Sequence, residues 1–329
     1  MAGEATPTLN WGDVLSTTLM AYIDSGMLHD QVFTSTAFLN WLRSGSRIRK
    51  VNGGDRIKVG LLHRGPGNYK RYSGDEVLDI TQQPGRTVAF FNWKQASAAA
   101  VISGLEQRVN GGESAVRDLA KDRIRAAELE IADNLTTDAF SNGSANSSKQ
   151  VTGLLAMLPD DPTAANEYAD IDPSVNTAWQ NQAITGVGSG AVNLLPNLRT
   201  LHNDCQEGSA GVRSAPDAIF CPQAIHEIAE AVVQPAIRYA GGGGKGEMSI
   251  NPMFRGAEFK WDEHCQAQAL YMLNSNHIFL FVHKQADLAM APEGFQRPVN
   301  QDSYTAQILF QGNMGTNNRR KLGKMTGIT

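Results

Sequence analysis

Two glycine-rich stretches are the parts of this sequence whose spacing most suggests ligand chemistry. The first, AGGGGKGE at residues 240–247, places Lys245 behind four glycines, as a phosphate-binding loop would. Such a loop requires Gly, four further residues, Gly-Lys and then Ser or Thr for the magnesium ion. Here Gly246 follows the lysine, Tyr239 occupies the first glycine position, and the glycines follow a helical pattern instead of preceding one. We therefore interpret residues 240–247 as a loop without nucleotide chemistry.

The second stretch, GVGSGA at residues 186–191, satisfies a loose G-x-G-x-x-A pattern for dinucleotide binding. That pattern works only between a strand and a helix, because the N-terminus of the helix receives the pyrophosphate. No convincing strand precedes Gly186, and Pro196 lies within the stretch that the pyrophosphate-binding helix would occupy. The sequence therefore argues against a dinucleotide site.

The histidines, cysteines, serines and aspartates form no recognisable catalytic or metal-binding set. His202 and Cys205 have a spacing that zinc sites use, but no second pair of ligands matches them, and residues 264–265 are an adjacent His-Cys pair. No G-x-S-x-G nucleophile motif occurs. The two aspartates at 160–161 lie between prolines, where carboxylates commonly stabilise turns. We predict no catalytic residue, no cofactor and no metal ion, and we expect a protein that is not an enzyme.

Length and composition are those of an ordinary globular protein. The chain has 329 residues, of which 41% are hydrophobic and 19% charged, and this length favours two subdomains. No apolar run approaches the roughly 18 residues that a membrane span requires, and the N-terminal MAGEATPTLNWGDVL lacks a basic leader with an apolar core. Three cysteines cannot all pair within one chain. We expect a chain of cytosolic origin without a membrane partner.

The charges are unevenly distributed along the chain, whose net charge is −4. Residues 46–94 contain ten basic and four acidic residues, and residues 311–329 contain four basic residues and no acid. Residues 1–45 carry −3, which leaves −11 for residues 95–310. A basic segment on an acidic body is consistent with docking between copies of the chain. Charges that protect a solvated strand edge from aggregation explain the pattern equally well, and a solvated terminus explains the basic tail.

Residues 46–94 are predicted to form an extended segment without a core of its own. Polar and apolar residues alternate over Arg56–Val59, as in a strand with one solvent-exposed face. Gly65–Asn68 are predicted to form a turn, and Thr87–Phe91 a second strand. An isolated two-stranded ribbon is marginal in water, so this ribbon needs a surface to lie on. The mixture of short apolar pieces and polar breaks in residues 1–45 suits an arm with two short helices better than a core element.

Beyond the ribbon, the sequence predicts a mixed α and β architecture. The small-residue-rich stretch Trp93–Asn110 fits either a strand or a helix, and we favour a strand through Ser103 that Gly104 breaks. Apolar residues at helical steps from Val116 to Ala139 predict one long amphipathic helix across a sheet. Trp179 should anchor the loop-rich region that follows. The remaining predicted elements are the helices 195–207 and 223–239 and the strands 218–221, 258–261, 277–282, 304–310 and, more weakly, 320–325.

The order of these parts, together with the stretches FNWKQASAAAVISG, LEIADNLTTDAFSNGS and SYTAQILFQGNMGTNNRRKLGKMTGI, resembles the major capsid proteins of tailed bacteriophages. The resemblance extends from about residue 10 to the end of the chain. It implies an α+β fold of the Hong Kong 97 type. The implied parts are an N-terminal arm (1–45), an extended E-loop hairpin (46–94), a peripheral domain (95–151 and 293–329) with a spine helix (113–142), and an α/β axial domain (152–292).

The resemblance also implies the function. Such a protein self-assembles, through hexamers and pentamers, into the icosahedral head shell that encloses the double-stranded DNA genome; it is assembled in the host cytoplasm and resides in the virion. The ribbon would then lie on an adjacent subunit. The candidate intersubunit contacts are Arg56, Lys58, Arg64, Lys70, Arg71, Trp93, Glu113, Asp118 and Asp122.

Further partners follow from the resemblance. Because no scaffolding segment precedes the arm, any scaffolding would be a separate protein, and no maturation cleavage is expected. The other candidate partners are a portal and a decoration protein. Packaged DNA should make weak nonspecific contact with lysines and arginines of the inner surface. Lys58 and Lys70 are available for a covalent crosslink, but no matching glutamate is recognisable, so no crosslink is predicted.

Two other functions remain open from the sequence. The same fold serves encapsulin-type nanocompartments, which enclose enzymes instead of DNA. A soluble α/β enzyme that uses the 241–245 loop is the third possibility, and nucleotide binding to the monomer would support it.

Overall fold

A computed structural model describes residues 37–44, 47–62, 69–78, 85–109, 113–206, 215–240, 252–290 and 294–329. As far as they are described, these residues form two compact units. The small unit comprises residues 95–134 and 285–311, and the large unit comprises residues 35–94, 135–284 and 312–329.

The core of the small unit lies between one strand layer and the long helix. Strand β4 (Lys94–Ser103) pairs with β12 (Ser303–Thr316), and β11 (Ala289–Met290) pairs with β12 in antiparallel register. Ala100 of β4, Ala127 of the helix and Ile308 of β12 meet in the core. The small residues that make the sequence of β4 ambiguous are thus the ones that let the helix approach the sheet. The predicted strand through Ser103 is confirmed.

The long helix, α3, spans Glu113–Ala139, after the short helix α2 (Gly104–Val109). At about 1.5 Å per residue it is about 40 Å long. Its buried residues recur at helical steps, as Leu119, Ala127, Ile131 and Leu135 show. The predicted helix is confirmed, although it ends three residues before the predicted boundary at 142 and Gly143 follows with φ 76°.

The large unit is built on a mixed six-stranded sheet in the order β5-β13-β9-β6-β8-β7. Helices α5 (Gly190–Gln206) and α6 (Gln223–Ala240) alternate with the parallel strands β6 (Ala218–Cys221) and β8 (Ala257–Trp261), which confirms the predicted α/β unit. The short helix α4 spans Leu154–Met157. The other strands of this sheet are β5 (Gln182–Ile184), β7 (Met253–Phe254), β9 (Ala269–Leu273) and β13 (Gly323–Thr326).

A second strand layer completes the large unit. Strand β1 (Ile48–Val51) runs parallel to β10 (Ile278–His283), and β10 pairs in antiparallel register with the second half of β12. The predicted strand 304–310 is therefore longer than expected. Strand β12 contributes its first part to the small unit and its second part to the large unit.

Helix α1 (Ala37–Arg43) lies in the core of the large unit. Phe38 is fully buried, and its ring centroid lies 4.9 Å from that of Phe140 and 5.0 Å from that of Phe220. The backbone N–H of Phe38 donates to Asp262 at 2.9 Å. The prediction that residues 1–45 avoid the core is thus wrong for residues 37–43, while residues 1–36 lie outside the described part of the chain.

Candidate assembly surfaces

The ribbon consists of strands β2 (Ile57–Leu62) and β3 (Arg86–Phe91), which pair only with each other among the described strands. Their antiparallel register runs from Ile57↔Phe91 to Leu62↔Arg86. Both strands were predicted, and the predicted turn at 65–68 lies outside the described residues.

The base of this ribbon is anchored on its own large unit. Ile57, Val59, Ala89 and Phe91 are buried, and the Phe91 ring lies 5.7 Å from Tyr168 and 5.9 Å from Phe281. The N–H of Phe90 donates to the carbonyl of Ala169 at 3.1 Å. The expectation that no part of the ribbon packs on its own chain is therefore wrong at the base, where alternate residues are buried against apolar side chains of the large unit.

The distal part of the ribbon shows the opposite behaviour. Residues 69–78 are all exposed, and four large apolar side chains are among the most exposed of the described residues: Leu62 (81%), Tyr69 (85%), Tyr72 (61%) and Val77 (88%). Folding of the chain alone leaves these side chains in water. Three of them, Tyr69, Tyr72 and Val77, fall within one short segment, and apolar side chains grouped in this way mark an interaction surface more often than single scattered ones do.

The predicted cationic contacts differ in their availability. Arg56 pairs with Asp170 of its own large unit, and Lys70 Nζ lies 2.8 Å from a carboxylate oxygen of Glu76. Lys58 is exposed, 5.9 Å from the centroid of Phe90, and Arg71 is exposed. Lys58 and Arg71 are thus better placed for an external acid than Arg56 and Lys70.

The other predicted contact residues lie in different settings. Trp93 donates through Nε1 to the Gly54 carbonyl at 2.8 Å, and its ring stands edge-on to His283. Glu113, Asp118 and Asp122 belong to α3. Arg64 lies outside the described residues.

The basic tail is a correction to the sequence interpretation. Arg319, Lys321 and Lys324 are buried in the large unit, although a solvated terminus was the default expectation. Arg319 Nε donates to the Met157 carbonyl at 2.8 Å, and its guanidinium carbon lies 5.1 Å from the Tyr168 ring centroid. Burial lowers the pKa of Arg319 to about 10. These cations hold loops of the large unit together and are not available to DNA.

The loop at residues 186–191 uses its backbone within the fold. The N–H groups of Val187, Gly188 and Gly190 donate to the carbonyls of Thr326, Gly327 and Thr329. The N–H groups that a pyrophosphate would require are thus already satisfied. The expectation that no strand precedes Gly186 and that Pro196 interrupts the helix is wrong, because β5 ends at Ile184 and α5 runs through this proline.

The cysteines among the candidate metal and nucleophile residues are buried, and Asp161 stabilises an exposed turn. Cys205, Cys221 and Cys265 are free and buried, and burial raises the pKa of both Cys205 and Cys221 to about 12, far above the range of reactive thiols. Asp161 accepts from the N–H and hydroxyl of Thr163 in a turn, as predicted. Within the described ranges no group of three or more metal-ligating side chains comes together.

One open cavity of about 700 Å³ lies in the large unit between the ribbon base and the loop around Trp179. Trp179 is buried and donates to the Tyr168 carbonyl, so it anchors that loop as predicted. The carboxylates at the cavity are engaged, because Asp170 pairs with Arg56 and Asp172 accepts from Ser174. The described residues that line the cavity include no nucleophile–base pair. The loop 241–245 that the enzyme hypothesis requires lies outside the described residues.

No helix in the described part of the chain has the length and apolarity to cross a bilayer.

Comparison with known proteins identifies the fold. The sequence matches no family model, and no curated protein matches it either. Solved structures do match. The capsid chain of cyanophage A-1(L) aligns with a TM-score of 0.66 at 14% identity, over 92% of this chain and 95% of that chain. The capsid of a native GTA particle aligns with a TM-score of 0.60 at 14% identity, over 100% of this chain and 96% of that chain.

An encapsulin shares the fold as well. The holo-SrpI encapsulin complex from Synechococcus elongatus PCC 7942 aligns with a TM-score of 0.54 at 8% identity, over 94% of this chain and 95% of that chain. These alignments show that the chain has the α+β fold of tailed-phage capsid chains, and the predicted Hong Kong 97-type fold is confirmed.

Proposed function

We propose that this chain is a major capsid protein that self-assembles into the icosahedral head shell of a tailed bacteriophage, around its double-stranded DNA. The observation that carries the proposal is the end-to-end alignment with capsid chains, together with a ribbon in which residues 69–78 are exposed, the apolar Tyr69, Tyr72 and Val77 among them. An enzymatic role has no comparable support, because the buried thiols and the engaged carboxylates leave no assembled catalytic set among the described residues.

In this proposal the ribbon of each copy lies over an adjacent copy. The base is fixed by Phe91 on its own large unit, so the direction in which the outer half projects is set before assembly. Tyr69, Tyr72 and Val77 then lose their exposure to water only in the assembled shell. Lys58 and Arg71 supply the positive charge for acids such as Asp122 of a neighbour's long helix. The isolated chain should accordingly be less stable than the shell.

The proposed domain assignment keeps the predicted boundaries: an arm (1–45), an E-loop (46–94), a peripheral domain (95–151 and 293–329) and an axial domain (152–292). The proposed partners are other copies of the chain, a separate scaffolding protein, a portal and a decoration protein, with weak nonspecific contact to DNA. The buried tail removes Arg319, Lys321 and Lys324 from that contact, which leaves it to exposed cations elsewhere.

Electron microscopy of particles from the expressed chain tests the proposal. Wild-type protein should form closed shells, and Tyr69→Ser combined with Val77→Ser should leave a folded, soluble chain that does not close shells. Val175→Ser is the matched control, because Val175 is 76% exposed but lies outside the ribbon. Closed shells from the ribbon variant, or an absence of particles from the wild type with any scaffolding protein present, would contradict the proposal.

The encapsulin alignment supports one alternative, a nanocompartment shell that encloses protein. The contents of purified native particles separate the two functions. Nuclease-resistant double-stranded DNA supports the phage head, whereas a stoichiometric enclosed enzyme without DNA supports the nanocompartment.

A further inference from the structure

The four residues 141–144, Ser-Asn-Gly-Ser, follow the long helix α3 and fold around the side-chain amide of Asn142. Its Oδ1 accepts from the backbone N–H of Ser144 at 3.1 Å and from the Ser144 hydroxyl at 2.7 Å. Asn142 is exposed, so water reaches the amide. Two donors on one carbonyl oxygen draw electron density away from Cγ of Asn142, which makes that carbon a better electrophile.

The group placed to attack this carbon is the backbone nitrogen of Gly143, since glycine has no side chain to hinder its approach. The N–H of Gly143 donates to the Ser141 hydroxyl at 3.1 Å, and that hydroxyl donates to the Asp138 carbonyl at 2.7 Å. These contacts fix the plane of the peptide between Asn142 and Gly143. The lone pair that attacks is perpendicular to this plane, so the hydrogen bond to Ser141 does not block it.

The fold requires glycine at position 143. Its φ of 76° lies in the left-handed region that side chains disfavour, and a Cβ atom there would lie 2.9 Å from Cα of Thr152. A bulkier neighbour, which would shield the amide of Asn142, therefore cannot be accommodated. The reactive Asn-Gly pair is built into the turn.

We propose that Asn142 is a site of spontaneous deamidation, which the two Ser144 donors accelerate by stabilising negative charge on Oδ1. The Gly143 nitrogen forms a bond to Cγ of Asn142, the bond from Cγ to Nδ2 breaks, and ammonia leaves with the proton that Gly143 loses. Water then opens the resulting succinimide at either carbonyl, which yields aspartate or isoaspartate. The reaction consumes only water and needs no cofactor.

Either product changes the chain just beyond the end of α3. An aspartate at position 142 adds a negative charge near the C-terminus of the helix, where the helix dipole is already negative. An isoaspartate also lengthens the backbone beside Gly143, which is closely packed on Thr152. Modified chains should therefore unfold more readily than freshly prepared ones.

Asn52 provides a comparison within the same chain. Asn-Gly pairs occur at positions 52, 110 and 142, and Asn110 lies outside the described residues. Asn52 is exposed like Asn142, and Gly53 also has a positive φ, of 90°. Within the described ranges, however, the side chain of Asn52 accepts no hydrogen bond. The two pairs thus differ mainly in the donors on Oδ1.

Peptide mass spectrometry of the chain, incubated at neutral pH, measures deamidation at both positions. In the folded chain we expect Asn142 to deamidate about tenfold faster than Asn52. In urea, where the hydrogen bonds are lost, the two rates should be similar. Ser144→Ala removes the hydroxyl donor, and it should slow Asn142 by about fivefold in the folded chain while leaving Asn52 unchanged.

Thermal unfolding of Ser144→Ala checks that the variant folds. A rate at Asn142 equal to or below that at Asn52 in the folded wild type overturns the inference, and so does an unchanged ratio of the two rates in folded Ser144→Ala. If Ser144→Ala does not fold, the wild-type ratio in buffer against that in urea decides, and equal ratios overturn the inference. These rates are properties of the folded chain and do not depend on the proposed shell function.

Discussion

Lys324 Nζ lies 2.7 Å from a carboxylate oxygen of Asp160, and the two side chains differ sharply in burial: 1% of the lysine and 56% of the aspartate are exposed. The pair joins strand β13 to the loop after α4. Only the lysine has been fully removed from water, so the two partners should respond differently to substitution.

Asp160→Asn should lower the free energy of unfolding by about 2 kcal/mol, because it leaves a buried ammonium without its counterion. Lys324→Met should stay within about 1 kcal/mol of the wild type, since the remaining carboxylate can be hydrated and the methionine fills the same space. Urea unfolding of the two variants measures both effects. A larger loss for Lys324→Met than for Asp160→Asn would contradict this account.

Arg319→Lys should be more destabilising than Arg319→Met, with a loss of about 3 kcal/mol for the lysine variant. Arg319 is fully buried, donates to the Met157 carbonyl and faces the Tyr168 ring. A lysine would bury a strongly hydrated ammonium that cannot reproduce the planar contacts, whereas methionine introduces no charge and removes only the donors to the Met157 carbonyl and the Asn181 side-chain oxygen. Urea unfolding again provides the measurement, and the opposite order of the two variants would show that the contacts at Met157 matter more than the buried charge.

These buried cations show where sequence reasoning failed. Charge alone places Arg319, Lys321 and Lys324 in solvent, because lysine and arginine are rarely buried without a partner. Their partners are Met157, Gln206 and Asp160, which are more than a hundred residues away along the chain. No local pattern encodes such contacts.

Elements with a clear local pattern were predicted well. The long helix α3 follows from apolar steps of three and four residues, and β6 was predicted with its bounds unchanged. Strand β9, all five of whose residues are buried, was missed. The burial of Phe38 and the anchoring of the ribbon base through Phe91 also depend on distant residues. The exposed outer ribbon, by contrast, follows from an extended segment without a core of its own.

Gly153→Ala should destabilise the chain by about 3 kcal/mol or more. A Cβ atom at this position would lie 2.5 Å from the carbonyl oxygens of Ala139 and Ser141, at the end of the long helix, and backbone cannot move aside cheaply. Gly60→Ala is the matched control, because no heavy atom lies within 4 Å of a Cβ atom there. Thermal unfolding and soluble yield compare the two. Equal stability of both variants would mean that the helix end shifts readily.

His202 is the buried titratable group with the clearest consequence for acid stability. It is 3% exposed, and neither ring nitrogen has a hydrogen-bond partner in the part of the chain that the structure describes. The ring stands edge-on to Phe254, with centroids 6.0 Å apart. Burial lowers the pKa of His202 below its ordinary value, and the neighbouring Arg255 lowers it further.

The lowered pKa of His202 predicts a loss of stability on acidification. As the pH falls through about 6.5, His202 binds a proton in the unfolded chain but not yet in the folded chain, so the free energy of unfolding decreases. His202→Phe should remove this contribution, while that of His277, whose pKa burial also lowers, remains. Unfolding in urea at pH 8 and at several lower pH values measures the free energy of unfolding of the wild type and of His202→Phe. Below about pH 6.5, the variant should become increasingly more stable relative to the wild type. Parallel pH profiles would show that His202 is hydrated or paired in the folded protein.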